Sequence, residues 1–78
     1  METITRFLQS DTVIFEIEDC LDIKKATLLA RERGILGGFY IQHLIIGDTA
    51  EILYAHYGVN DKDKIISEIY PYKKLMNQ

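Results

Sequence analysis

From Thr12 to Glu18 the chain reads Thr-Val-Ile-Phe-Glu-Ile-Glu, so Val13, Phe15 and Ile17 alternate with Glu16 and Glu18. A period of two, with β-branched and aromatic residues on one side and carboxylates on the other, predicts a strand with one wet face. Ile4 to Leu8 pairs with it across Gln9, Ser10 and Asp11, because Ser and Asp favour turns by hydrogen-bonding their own backbone. The chain therefore opens on a β-hairpin.

The remainder is short. Seventy-eight residues make one small domain, read here as spanning 1 to 78. Ordering each residue costs roughly 1.5 kcal/mol, and a chain this small buries only about 60% of its surface, so little stability is left over and self-association is a natural recourse. With 47% hydrophobic and 27% charged residues and a single Pro, the composition excludes a disordered or collagen-like chain.

Asp22 is placed to cap a helix that ends at Arg33, with Gly34 free to take the left-handed conformation after it. At 100° per residue Ile23, Ala26 and Ala30 form one stripe with Leu29 on its flank, while Leu28 points elsewhere with Leu21 one heptad before it. Such a helix has two apolar seams, one for its own fold and one for a second element or another molecule.

Phe39 to Ile46 is rich in aromatic and β-branched residues and is bracketed by Gly37-Gly38 and Gly47-Asp48, which predicts a strand buried on both faces. Leu36, Phe39, Tyr40, His43 and Leu44 also fit one face of a helix, so a helix is the alternative. Asp48-Thr49-Ala50-Glu51 has the spacing of a capping box, and Gly58 is placed to end the helix it would start. Ile52, Leu53, Tyr54, His56 and Tyr57 then lie on one broad apolar arc. Asn60 caps a further helix to about Tyr70, with Ile65, Ile66 and Ile69 inward and Lys64 and Glu68 as an outward i, i+4 pair; Pro71 stops it. The expected fold class is thus α+β: an N-terminal β-hairpin and a third strand with about three α-helices, the last two over 49–57 and 61–70. The alternative is a mainly α-helical bundle with an N-terminal hairpin.

Charge narrows the function. The net charge is −3; residues 1–22 hold six acids (Glu2, Asp11, Glu16, Glu18, Asp19, Asp22) against Arg6 alone, and the rest of the chain carries +2. A net acidic chain is a poor non-specific ligand for phosphates. Cys20 is the one cysteine, which excludes an intramolecular disulfide and a multi-thiolate zinc site and suits a reducing compartment. METITRFLQSD lacks the basic start and apolar run of a secretory signal, and no apolar stretch approaches the ~20 residues of a membrane span. The expectation is a cytoplasmic protein with no membrane partner.

Catalytic and metal chemistry has few candidates. Cys20 is crowded by Glu18, Asp19 and Asp22, which disfavour a thiolate. His43 and His56 lack metal-ligand spacing, and Gly34, Gly37 and Gly38 fit no phosphate-loop pattern. No enzyme, metal or cofactor is expected.

Two functional readings remain. Ala-Glu-Ile-Leu-Tyr-Ala-His-Tyr-Gly-Val-Asn (residues 50–60) resembles the first helix and turn of DNA-binding helix-turn-helix regulators, which implies a nucleic-acid contact by residues 49–70. It departs from that family at bulky Tyr54, at Lys64 where a buried aliphatic belongs, and in the acids Asp61 and Asp63 at the start of the would-be recognition helix. The reading preferred is a small acidic non-catalytic protein-interaction module, a regulator, adaptor or inhibitor of a larger protein, with a homodimer as one form. Leu21, Leu28, Tyr54, Tyr57 and Tyr70 would supply an apolar and tyrosine interface, and Glu16, Glu18 and Asp19 an acidic face that steers encounter.

Overall fold

A computed structural model describes residues 2–47 and 51–69. In chain order these form β1 (Glu2–Gln9), β2 (Thr12–Glu18), α1 (Ile23–Glu32), β3 (Phe39–Ile46), β4 (Glu51–Val59) and β5 (Ile65–Ile69). The strands make one sheet in the order β2-β1-β3-β4-β5, and every neighbouring pair is antiparallel.

The opening hairpin forms, with Phe7 opposite Phe15 and with Gln9, expected in the turn, paired instead with Thr12. Ser10 and Asp11 turn it with φ of 51° and 62°, the positive values that a two-residue turn matched to strand twist requires. A bulge beside Phe7 and Leu8 sets Val13 opposite Leu8, so Val13 stays exposed instead of continuing the buried side of Phe15 and Ile17.

Both ends of α1 are closed by their own sequence. The Asp22 carboxylate accepts from the N–H groups of Lys24 (2.9 Å) and Lys25 (3.3 Å). At the other end Gly34, at φ 86°, donates to the Arg31 carbonyl while Ile35 donates to that of Ala30, the paired bonds of a Schellman motif. Because β2 and β3 both run antiparallel to β1 and flank it, the β2–α1–β3 connection crosses over β1 and lays the helix on one face of the sheet. Ala26 and Ala30 of α1 meet Phe7, Phe39, Ile41, Ala55, Tyr57 and Val59 in one core. Phe7 stacks on Phe15 with ring centroids 4.3 Å apart. Each large side chain so buried contributes about 1.5–3 kcal/mol.

The hairpin, the capped helix and the strand over 39–46 form as the sequence predicts. The helical pair does not, and the fold class is corrected accordingly. Residues 51–59 and 65–69 are strands, so the described residues form a mostly antiparallel five-stranded sheet with one short helix, neither an α+β fold with about three helices nor a helical bundle. Gly58 lies within β4 and ends no helix. The Asn60 side chain does accept backbone N–H groups, from Lys62 (2.9 Å) and Lys64 (3.0 Å), but it organises the β4–β5 turn. Leu21 precedes α1, so it and Leu28 share no helical seam. The capping-box residues Asp48, Thr49 and Ala50, together with Tyr70 and Pro71, lie outside the described residues.

Candidate functional site: a groove beside the helix

An apolar groove of about 490 Å³ runs along the N-terminal half of α1. Ile23, Lys24, Thr27 and Leu28 form its helical wall, and Asp63, Lys64 and Ile65 the wall across from it. It exists because one helix is narrower than this sheet. Five strands at about 4.8 Å spacing span roughly 19 Å between outer axes, while a helix with its side chains is about 10–12 Å across. The helix-side residues of β4 are still buried, Tyr57 at 8% exposure and Val59 at 1%, but every described residue of β5 is exposed. Leu28 is 63% exposed on the helix side of the groove, and Ile65 is 44% exposed on the strand side.

Arg31 fixes the two walls relative to each other. Its guanidinium donates to the carbonyls of Ile35 (2.9 Å), Gly37 (2.7 Å) and Asn60 (3.2 Å) and to the Asp63 carboxylate (2.8 Å), and it lies 5.0 Å from the Phe39 ring centroid. One side chain thereby ties the helix C-terminus, the α1–β3 loop and the β4–β5 turn together. It also occupies Asp63, which leaves Lys24 and Lys64 as groove cations with no ion pair among the described residues.

Among the described residues no helix covers the opposite face of the sheet. Leu44 is buried there between its register neighbours Ile4 and Leu53 and lies outside the main core. A Cβ built on Gly58 would meet Ser67 Oγ at 2.6 Å, with Tyr40 and Ile66 close behind, which puts Ile66 on this face and Ile65, paired with buried Val59, on the other. The predicted acidic residues fall at the β2 side of the sheet. Arg6 binds the Glu16 carboxylate and, at 2.6 Å, that of Glu51, and its pKa is raised, first by the Glu16 hydrogen bond. Glu18 and Asp19 are exposed, and Asp19 takes a left-handed φ of 55°.

The tyrosine patch is not assembled as expected. Tyr57 is a core residue, with its ring edge-on to His43 at 5.5 Å, and adds almost nothing to the surface. Tyr54 packs half-buried against the core, and Tyr70 lies outside the described residues. Leu21 and Leu28 are exposed, and among the described expected interface residues Leu28 alone lines the groove. Of the other lining residues the sequence turns only Lys64 outward, as a pair with Glu68; a helical reading of 61–70 puts Ile65 inward and never opposes this segment to Lys24 and Thr27 of α1.

A second polar feature is buried and structural. The Thr5 hydroxyl donates to the Cys20 carbonyl, so toward His43 Nδ1, 2.9 Å away, it can only accept. Nδ1 therefore carries the proton, and Nε2 is a bare acceptor with no hydrogen-bond partner among the described residues. His43 is 1% exposed, and burial lowers its pKa. His56 sits at the sheet surface, edge-on to Tyr40 at 5.1 Å. Among the described residues no three His, Cys, Asp or Glu side chains gather as a metal site, and no helix is long and apolar enough to cross a membrane. No family model matches the chain, and neither a curated protein nor a solved structure proves similar to it.

Proposed function

We propose that the protein is a non-catalytic protein-interaction module, a regulator, adaptor or inhibitor that docks on another protein through the groove beside α1. The observation that carries this reading is the exposure of Leu28 and Ile65 across an apolar groove whose two walls Arg31 ties together by hydrogen bonds. Isolated apolar residues on a surface need no explanation, but apolar residues facing one another across a preformed concavity are what a docking partner covers. Affinity would come from burying the groove, with the exposed Glu18 and Asp19 of the opposite sheet edge influencing encounter. A lone, buried Cys20 supports action in a reducing compartment such as the cytoplasm.

The test is site-specific photocross-linking in the native cell. A benzophenone amino acid at position 28 is expected to yield a discrete adduct with another polypeptide, and the same group at exposed Glu32, outside the groove, is not. Identical adduct patterns from both positions, or none from either, would refute the reading.

A further inference from the structure

We infer that the occupant of this groove is an acidic amphipathic helix of a partner protein, lying beside α1 in the same layer. The inference rests on the docking reading above and adds the shape and charge of what docks.

Shape follows from layer geometry. Packed helices sit about 8–10 Å apart, which is close to two strand spacings. A second helix beside α1 is thereby centred over β4 and β5, where Ile65 is exposed on the helix side of the sheet. An added strand would instead lie in the plane of the sheet, beyond β5, and would leave the groove between Leu28 and Ile65 unfilled. The apolar stripe of an incoming helix meets Ile23, Leu28 and Ile65.

Charge selects among helices. Lys24 and Lys64 stand on opposite walls, both exposed and without an ion pair among the described residues, whereas Asp63 is held by Arg31 at 2.7 Å. The groove thus presents two positive charges, neither in an ion pair among the described residues, on either side of Ile23, Leu28 and Ile65. Glu or Asp flanking an apolar stripe complements them. The chain's own helix does not: α1 carries Lys24, Lys25, Arg31 and Arg33 against Glu32, so a second copy would bring like charges together.

The experiment uses two labelled, side-chain-stapled helices of roughly 15 residues, long enough to hold helical form. Both carry Leu at i, i+3, i+4 and i+7; one has Glu at its flanking positions and the other Lys. Fluorescence anisotropy is expected to show saturable binding of the Glu helix and at least about tenfold weaker binding of the Lys helix. Leu28→Glu should abolish binding of the Glu helix, Ile66→Glu on the other face should leave it unchanged, and the double variant Lys24→Glu/Lys64→Glu should reverse the preference. Circular dichroism confirms folding of each variant. Should Leu28→Glu not fold, the charge reversal at two exposed lysines decides the matter alone. Equal affinity for both helices, no saturable binding, or loss at Ile66→Glu in place of Leu28→Glu would overturn the inference. So would Leu28-dependent dimerisation in sedimentation, which would make a second copy the occupant. A position-28 adduct in cells with neither helix binding would leave the docking reading standing and remove only the acidic helix.

Discussion

On the β2–β1–β3 side of α1 the core is sealed: Phe7, Ile41, Ala26 and Ala30 are fully buried, and Arg33 stacks over Phe15. On the β5 side of the same helix Leu28 and Ile65 are exposed, as is Ile66 on the other face of β5, although these too are aliphatic residues. Composition does not separate the two regions; cover does. The β2–α1–β3 crossover lays α1 over β1 and β3, and among the described residues no helix covers β5, two strands beyond β3. The energetic consequence is that one side is stabilised within the chain while the other keeps apolar surface available to something outside it.

This contrast can be broken by substitution. The largest effect belongs to the sealed side: Phe7→Ala removes a fully buried ring with Phe15 and Phe39 against it and is expected to cost about 3–5 kcal/mol in urea unfolding. A loss below ~1 kcal/mol would mean that this side is not a packed core. Arg31→Ala comes next, at about 2–3 kcal/mol, because it leaves three carbonyls and the Asp63 carboxylate without their shared donor at the junction of the two regions. Amide exchange in that variant should rise at the β4–β5 turn more than in β1.

Acid probes the sealed side through His43. Its folded pKa lies below the ordinary 6.5, so between those two values the unfolded chain binds more protons than the folded one. Stability is therefore complete above about pH 6.5 and declines as pH falls below it. Urea midpoints taken across this range should show that decline, and His43→Leu should flatten it; an unchanged slope would place the sensitivity elsewhere. The smallest effect is on the open side, where Ile66→Ser should change stability by no more than ~0.5 kcal/mol, since Ile66 is 65% exposed.

The same contrast explains what could be read from the sequence. The sealed side announced itself locally: alternation in β2, the Asp22 cap and the Gly34 stop are each fixed by a few adjacent residues. β4 and β5 were misread because their signals are shared by two structures. Glu51 to Val59 is a nearly continuous apolar run in an interior strand, and such a run carries no period to separate strand from helix. Asn60 collects backbone N–H groups as a helix cap would, but closes a turn. Glu51, read as reaching back within a capping box, reaches across the sheet to Arg6. The groove was invisible for the same reason. Leu28 was marked as surplus apolar surface, but Ile65 and Lys64 become its neighbours only once β5 pairs with β4. Nor does any spacing reveal the Thr5, Cys20 and His43 contact, whose members lie 15 and 38 residues apart.

Isoleucine methyl resonances report both faces of the open region at once, because Ile23 and Ile65 line the groove while Ile66 lies on the other side of the sheet. Titration with the Glu-flanked helix is expected to shift the methyls of Ile23 and Ile65 and to leave Ile66 in place. Shifts at Ile66 without Ile23, or small shifts spread evenly over all isoleucines, would contradict a docking groove beside α1.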